Sequence, residues 1–380
     1  MDITLQPGKL QGTIAAIPSK SVAHRMLICA AFADGPTRIH CAETSADIEA
    51  TVQCLQALGA TIVSSEAGYW VEPATRIPPQ ADLYCKESGS TLRFLLPVVG
   101  ALGVSATFHM EGRLAQRPLS PLWEEMERMG CRLTRPTADS IQCCGQLRPG
   151  AYAISGQVSS QFISGLYLAF PLMDGPSTLE ITEPLQSKPY VDITLAVLNS
   201  FQPGRHSPGE LTVEGDWSNA AFWLAAQALG SPLDVTGLDF NSPQGDRVVT
   251  QWLPRFTKGP VTLSAAHIPD LVPILAVVAA ANQGATFTGI ARLRFKESDR
   301  VASTIAMIQA LGGKAEASQD TLRIYGTGLQ GGIVDACNDH RIAMSAAIAS
   351  TVCREPVTIL GCECVQKSYP KFWQDLQSLK

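Results

Sequence analysis

Several common sequence signals are missing from this chain of 380 residues. The segment Met1-Asp2-Ile3-Thr4 has neither the basic nor the apolar region of a signal peptide, and the apolar runs are too short to span a bilayer. The 11 cysteines form no C-x-x-C pair, and neither cysteines nor histidines have the spacing of zinc ligands. An odd, scattered set of cysteines is typical of free thiols in a reducing compartment. We therefore expect a cytoplasmic protein without a metal site.

Nucleotide-binding signals are missing as well. No G-x-x-x-x-G-K-[ST] motif occurs, since Gly312-Gly313-Lys314-Ala315 lacks both the spacing and the hydroxyl group, and no G-x-G-x-x-G follows a strand-like segment. With 29 Lys and Arg against 34 Asp and Glu, the net charge of −5 disfavours general nucleic-acid binding. We expect no cofactor and neither a nucleic-acid nor a membrane partner, so any anion must be bound by locally placed cations.

The main positive feature is a repeated unit, in which a capped apolar helix is followed by a small-residue turn and a short strand. An amphipathic second helix follows the strand, as in the run Ile48, Val52, Leu55 and Leu58. The turns that end the six apolar helices lie at residues 35, 103, 175, 230, 284 and near 354. The sequence spacings between successive turns are too long for a solenoid repeat but suit a βαβ-type unit.

The length and the number of units predict the domain organisation. At 380 residues the chain is long for one core, so we predict an α/β protein of two lobes with three units each. Because the first helices are apolar nearly all round, we expect them inside each lobe and the second helices outside. A lobe boundary should lie near residues 211–216, and the compact stretch 246–269 predicts a fourth unit with incomplete strand structure.

Cationic side chains stand at the starts of these helices. The first-turn amides of a helix carry partial positive charge, so Lys20, Ser21 and Arg25 are placed to bind phosphate or carboxylate. One such helix alone would equally fit a capped surface helix with solvated cations. Because cations recur at equivalent helix starts of the repeated units, we instead predict a cation-lined cleft for anionic substrates. Asp270 and Glu297 are candidates for proton transfer. The cations of this set are Lys20, Arg25, Arg93, Arg117, Lys296, Arg300, Arg341 and Lys367.

The stretches around these residues also carry a family resemblance. They are Ser19-Lys20-Ser21-x-x-x-Arg25, Ser88-Gly89-Ser90-x-x-Arg93, Arg117-Pro118, Ser159-Ser160-Gln161, Ser187-Lys188-Pro189-Tyr190, Ile268-Pro269-Asp270, Lys296-Glu297-Ser298-Asp299-Arg300, Asn338-Asp339-His340-Arg341 and Lys367. In them, and almost from end to end, the chain resembles the 3-phosphoshikimate 1-carboxyvinyltransferase family, the 5-enolpyruvylshikimate-3-phosphate (EPSP) synthases. His24 and Arg292 depart from it, at positions where the family commonly has Asn.

The resemblance implies an enolpyruvyl transferase fold with two lobes, each built from three βαβαββ units whose inner helices point at the interlobe cleft. It implies an N-terminal lobe of residues 12–214 on the shikimate 3-phosphate side. Residues 1–11 and 215–380 would form the C-terminal lobe on the phosphoenolpyruvate (PEP) side, with a hinge near Gly12 and Gly215. We expect such a protein to be a monomer in the cytoplasm.

The resemblance also implies the site residues. Shikimate 3-phosphate would be bound by Lys20, Ser21, Arg25, Ser159, Ser160, Gln161, Ser187, Asp270 and Lys296. PEP would be bound by Lys20, Gly89, Arg117, Gln161, Arg300, Arg341 and Lys367. The implied catalytic residues are Asp270, Glu297 and Lys20, with Asp270 taking the proton of the 5-hydroxyl group and Glu297 exchanging a proton with the PEP methylene carbon. The product would be 5-enolpyruvylshikimate 3-phosphate, a step of the shikimate pathway to chorismate and aromatic amino acids.

Two alternatives remain at this point. The related UDP-N-acetylglucosamine enolpyruvyl transferases share the fold but use a cysteine on the loop equivalent to residues 111–119, which has none here. A non-catalytic binder of phosphorylated metabolites could keep the same scaffold. Asp270 and Glu297 argue against it, because a protein that only binds anions gains nothing from carboxylates among its cations.

Overall fold

The computed structural model describes residues 1–202 and 205–380. Its strands, in chain order, are β1 (Asp2–Leu5), β2 (Gly12–Ala15), β3 (Thr37–His40), β4 (Thr61–Ser65), β5 (Gly68–Glu72), β6 (Gln80–Lys86), β7 (Ser105–Met110), β8 (Cys131–Thr134), β9 (Ser140–Gly145), β10 (Ala151–Ile154), β11 (Thr178–Ile181), β12 (Glu210–Thr212), β13 (Leu233–Thr236), β14 (Val261–Ser264), β15 (Ala285–Thr288), β16 (Lys314–Ala317), β17 (Thr321–Tyr325), β18 (Gly332–Asp335) and β19 (Val357–Leu360). The α-helices are α1 (Lys20–Ala31), α2 (Ala46–Ala57), α3 (Gly89–Leu102), α4 (Leu122–Arg128), α5 (Ser160–Ala169), α6 (Lys188–Ser200), α7 (Trp217–Ala228), α8 (Val249–Trp252), α9 (Val272–Ala281), α10 (Arg300–Ala310), α11 (His340–Ala349) and α12 (Phe372–Ser378).

The chain forms two compact units, each with its own hydrophobic core. Pro18–Glu214 is the continuous unit, and Met1–Ile17 with Gly215–Lys380 is the discontinuous unit. The first boundary lies six residues beyond the predicted Gly12. The reason is that β2 is hydrogen-bonded in parallel to β13, so Gly12–Ala15 belongs with the discontinuous unit.

The continuous unit contains the repeated arrangement in its most complete form. The segment β6-α3-β7-α4-β8-β9 is a βαβαββ unit whose sheet has the order β6-β7-β9-β8. Only the β6–β7 pair is parallel, as expected when a helix connects the two strands, and β8–β9 is an antiparallel hairpin. A second sheet has the equivalent order β12-β3-β5-β4, in which a strand from residues 210–212 occupies the first position. The strands β10 and β11 form a parallel pair.

The discontinuous unit repeats this arrangement. Its sheet β14-β15-β17-β16 is built from a βαβαββ segment with α9 and α10. A three-stranded sheet has the order β1-β19-β18, so the first strand of the chain completes the last repeat. As predicted, the fourth repeat is abbreviated, because residues 237–260, all of them described, contain helical segments but no strand.

The first helices are buried, as their composition predicts. Every residue of α11 is buried, and in α9 all but the last are. Several helix starts are capped by side chains, for example by Ser88 before α3, and Gly103 ends that helix in the left-handed conformation with φ 69°. In the described part of the chain, no helix combines the length and the hydropathy that crossing a membrane requires.

Candidate functional site

In the continuous unit, Lys20 is the first residue of α1 and forms an ion pair with α2. Its Nζ atom lies 2.9 Å from Asp47 Oδ2, and each side chain keeps about 15% of its surface exposed (16% and 15%). Ser19 is the N-cap residue, but its side chain makes no capping hydrogen bond. The Lys20 ammonium group is therefore held at a helix start by a carboxylate that the sequence analysis did not select.

Arg25 lies one turn further along α1 and is 1% exposed. Its Nε atom donates to Thr194 Oγ1 at 2.6 Å, and Nη2 donates to the Tyr190 carbonyl oxygen at 2.9 Å, both on α6. Nη1 donates to the Ser21 carbonyl oxygen at 2.6 Å, and the guanidinium group stacks over Phe94. Arg25 thus joins α1 to α6 within the core. Ser187, the N-cap residue of α6, lies just before Tyr190 in the sequence.

Two guanidinium groups converge on Gly89 at the start of α3. A β-carbon at Gly89 would lie 2.8 Å from Arg117 Nη1 and 2.9 Å from Arg93 Nη1. Gln161 connects this helix start to α5, because its Oε1 atom accepts from Arg93 Nη1 at 2.8 Å and its Nε2 atom donates to Ser90 Oγ at 3.0 Å. A helix start with two adjacent cations and no side chain on Gly89 is suited to an anion that approaches the backbone closely.

The serines selected from the sequence occupy helix starts. Ser159 caps α5, with its Oγ atom accepting from the Gln161 amide at 3.3 Å, and Ser160 is buried in the first turn. Ser187 has φ 54°, a left-handed conformation that is uncommon for a residue other than glycine. Such outliers are often found at binding sites, where the surrounding structure holds them.

In the discontinuous unit, Arg300 is the centre of the charged cluster. Its side chain is 1% exposed, and it donates to Asp270 Oδ1 and to Glu297 Oε2, each at 2.6 Å. Its Nε atom also donates at 3.0 Å to Oδ2 of Asp339, the fully buried N-cap residue of α11. Burial by itself lowers the pKa of Arg300, but Asp339, Glu297 and Asp270 together raise it above its ordinary value. The two carboxylates predicted to transfer protons therefore share one permanently charged partner.

Two further cations of this unit, Lys296 and Arg341, lie within ion-pair distance of Asp270. Lys296 Nζ lies 3.4 Å from Asp270 Oδ1, and Arg341 Nη2 lies 3.8 Å from Oδ2. Burial lowers the pKa of Lys296, although Asp270 partly offsets this effect. Lys367 Nζ donates to the Asn338 carbonyl oxygen at 2.8 Å, next to the start of α11.

The predicted residues of the continuous unit thus lie at several of its helix starts, whereas those of the discontinuous unit, apart from Lys367, are linked through Arg300 and Asp270. Sequence reasoning missed Asp47 and Asp339, which hold Lys20 and Arg300. Asp339 belongs to a motif that the sequence analysis did quote, whereas Asp47 had only its place in the first turn of α2 as a signal. Within the described residues, no group of three or more His, Cys, Asp or Glu side chains could hold a metal ion.

Comparison with known families agrees with this arrangement. The family model described as EPSP synthase (3-phosphoshikimate 1-carboxyvinyltransferase) matches residues 5–376. The chain belongs to the EPSP synthase family. A 3-phosphoshikimate 1-carboxyvinyltransferase of Clostridium kluyveri is 38% identical over 413 aligned positions, which cover 99% of this chain and 97% of the relative. One of Clostridium acetobutylicum is 36% identical, with coverage of 99% and 97%.

Solved structures of an EPSP synthase and of another enolpyruvyl transferase have the same fold as this chain. An EPSP synthase from Acinetobacter baumannii superposes with a TM-score of 0.81 at 23% identity and covers 100% of this chain and 98% of its own. The enolpyruvyl transferase NikO from Streptomyces tendae gives a TM-score of 0.71 at 18% identity, with coverage of 100% and 96%. These matches confirm the predicted α/β enolpyruvyl transferase fold.

Proposed function

We propose that the protein transfers the enolpyruvyl group of PEP to the 5-hydroxyl group of shikimate 3-phosphate, releasing phosphate. The proposal is carried by Arg300, which holds the candidate acid and the candidate base of that reaction within hydrogen-bond distance. Membership of the EPSP synthase family supports it, as do the names of the curated relatives. The relatives do not support the alternative substrate UDP-N-acetylglucosamine, and residues 111–119 lack the cysteine expected for it.

Shikimate 3-phosphate is bound, in this proposal, largely by the helix starts of the continuous unit. Their amides and hydroxyl groups supply donors, and Lys20 and Arg25 supply positive charge for the 3-phosphate group. Because Arg25 is buried and already donates to α6, part of its role is to hold Ser187 and its neighbours in place. The full set is Lys20, Ser21, Arg25, Ser159, Ser160, Gln161, Ser187, Asp270 and Lys296.

PEP carries a phosphate and a carboxylate group, so it needs several cations. Gly89 leaves space for one of these groups beside Arg117, and the other cations of the proposed set neutralise the remaining charge. Holding two anionic substrates together against their mutual repulsion is the main task of this charge cluster. The set is Lys20, Gly89, Arg117, Gln161, Arg300, Arg341 and Lys367.

The proton transfers follow from the positions of the carboxylates. Asp270 accepts the proton of the 5-hydroxyl group while Glu297 protonates the PEP methylene carbon, so that C2 becomes cationic and bonds to the oxygen. In the resulting tetrahedral adduct, Glu297 takes a proton back from the methyl group, C2–O(phosphate) breaks as the departing phosphate takes up the proton that Asp270 accepted, and the enol ether forms. Lys20 neutralises negative charge on the substrates during both steps.

Phosphate release tests the proposal directly. Purified protein should release phosphate when PEP and shikimate 3-phosphate are both present, and not with either alone. A parallel reaction with PEP and UDP-N-acetylglucosamine should release none. Activity with that second pair, or dependence on an added metal after EDTA treatment, would contradict the proposed reaction.

The setting of the protein is part of the same proposal. All eleven cysteines are free thiols, and most are buried, which favours a reducing compartment such as the cytoplasm. We also propose that the protein acts as a monomer. Light scattering on the eluting enzyme should then give the mass of one chain, 40.6 kDa.

A further inference from the structure

A chain of buried hydrogen bonds crosses three helices of the continuous unit. It begins at His24 on α1, whose Nδ1 atom lies 2.7 Å from Thr51 Oγ1 on α2. Thr51 Oγ1 lies 2.7 Å from Thr91 Oγ1 on α3, and Thr91 Oγ1 in turn donates to Ser88 Oγ at 2.7 Å. All four side chains have 0% exposure. An unbroken series of short bonds without solvent access fixes the relative positions of the helices that carry it.

The unpartnered ring nitrogen of His24 determines the direction of donation along this series of hydrogen bonds. The Nε2 atom is buried and has no hydrogen-bond partner, so a proton there would be an unsatisfied donor. The proton therefore lies on Nδ1, which donates to Thr51. Thr51 then donates to Thr91, and Thr91 to Ser88. Burial, together with the charges of Lys20 and Arg25, lowers the pKa of His24 well below its ordinary value, which keeps the ring neutral.

Both ends of this series of hydrogen bonds lie close in sequence to predicted substrate-binding residues. His24 is one helical turn after Lys20 on α1. Ser88 caps α3 by accepting from the Thr91 amide at 3.2 Å, immediately before Gly89. In the middle, Thr91 Oγ1 is 3.4 Å from the carbonyl oxygen of Asp47, the residue whose carboxylate pairs with Lys20. The chain therefore connects the α1 start with the α3 start.

We propose that His24 is a positioning residue which, through Thr51 and Thr91, sets the spacing between Lys20 and the α3 start at Gly89 and thereby the affinity for PEP. The link to PEP rests on the proposed function. PEP is the substrate that would contact both helix starts, at Lys20 and at Gly89, whereas all the proposed shikimate 3-phosphate residues lie outside α3. Breaking this series of hydrogen bonds should consequently raise the KM for PEP more than the KM for shikimate 3-phosphate.

A matched pair of substitutions at Thr51 tests this inference. Thr51→Val keeps the shape but removes the hydroxyl group, and Thr51→Ser keeps the hydroxyl group. We expect Thr51→Val to raise the KM for PEP about 5- to 20-fold, as for a lost buried hydrogen bond, with the KM for shikimate 3-phosphate changed less than about twofold. Thr51→Ser should restore the KM for PEP. If Thr51→Val does not fold, Thr51→Ala takes its place with the same expectation.

A nitrogen-detected NMR measurement on the unmodified protein tests the direction of hydrogen-bond donation from His24 independently of activity. The His24 ring should show the Nδ1–H tautomer and should not titrate between about pH 5.5 and 8. In Thr51→Val its Nδ1 resonance should shift. A protein that lacks transferase activity but shows this tautomer refutes the proposed function and leaves the hydrogen-bond chain intact.

Three results would overturn the inference. One is an Nε2–H tautomer or a titrating His24, which would reverse or break the chain. Another is an equal rise in both KM values, which would mean general loosening of the unit. The third is a Thr51→Ser variant as impaired as Thr51→Val, because the hydroxyl group would then not be the reason for the defect.

Discussion

Arg300 Nη1 lies 2.6 Å from Asp270 Oδ1, and the opposite terminal nitrogen of the same guanidinium group lies 2.6 Å from Glu297 Oε2. The guanidinium group is almost completely buried, so solvent screens both contacts less than it would screen a surface ion pair. Asp339, which is also fully buried, fixes the remaining side of the group. The distance between the two carboxylates is therefore set by one rigid side chain, which is the kind of support that catalytic groups require.

Removal of this side chain should destabilise the protein strongly. In Arg300→Ala the carboxylate of Asp339 would stay buried without its cation, and breaking a buried ion pair costs about 3–5 kcal/mol. Arg294→Ala is the control, because Arg294 forms a half-exposed pair with Asp299 at 3.6 Å and should cost less than about 1 kcal/mol. Urea unfolding of both variants measures the difference. Equal losses in the two variants would show that the Arg300 cluster contributes no more than a surface pair.

Both carboxylates should contribute to turnover, but Glu297 should not contribute to the binding of shikimate 3-phosphate. We expect Asp270→Asn and Glu297→Gln each to lower kcat by roughly 10²–10⁴-fold, the usual contribution of a positioned acid or base. Glu297→Gln should still bind shikimate 3-phosphate, since Glu297 is not among its proposed ligands. Single-turnover kinetics and calorimetry separate these effects. A near-native kcat in either variant would show that its carboxylate is not the acid or base.

Substitution of Gly89 should weaken PEP binding while the fold is kept. The added methyl group of Gly89→Ala would lie 2.8 Å from Arg117 Nη1 and 2.9 Å from Arg93 Nη1, which are the far ends of long side chains. These groups can move, so we expect a rise of about tenfold in the KM for PEP, equivalent to about 1.4 kcal/mol, and little change in Tm. Gly8→Ala is the control, because nothing lies within 4 Å of its added atom. An unchanged KM would place PEP elsewhere.

Asp246 should make stability depend on pH. Burial, reinforced by the charges of Asp270 and Asp216 against that of Arg341, raises the pKa of Asp246 to about 7 in the folded protein. In the unfolded chain the pKa of an Asp side chain is about 3.9, so the folded state binds this proton more tightly. The resulting stabilisation is complete below about pH 4 and is lost as the pH rises through about 7.

Asp246→Asn should remove this dependence. The unfolding free energy of the unmodified protein, relative to that of the variant, should fall by about 2–4 kcal/mol between pH 4 and pH 8. Asp234→Asn, which alters an exposed carboxylate on β13, serves as the control and should follow the unmodified protein. Parallel curves for the unmodified protein and Asp246→Asn would mean that Asp246 keeps its charge throughout.

Much of the fold could be predicted because its signals are local. The predicted helix starts at Lys20, Gly89 and Ser160 are confirmed, since capping side chains and apolar spacing act within a few residues. The abbreviated fourth repeat was visible for a similar reason, because the stretch 246–269 is too compact for a complete unit. The family resemblance added the roles of individual residues, which no periodicity contains.

Long-range pairing was decided only by the tertiary structure. β1 pairs with β19, and β12 enters the sheet of β3, although nothing within these short strands specifies such distant partners. Asp47 and Asp339 likewise became visible only when folding brought them against Lys20 and Arg300. A sequence by itself determines where helices and turns form, because those depend on neighbouring residues. The partner of a strand or of a buried charge depends instead on which surfaces the packed core brings together, and this information is spread over the whole chain.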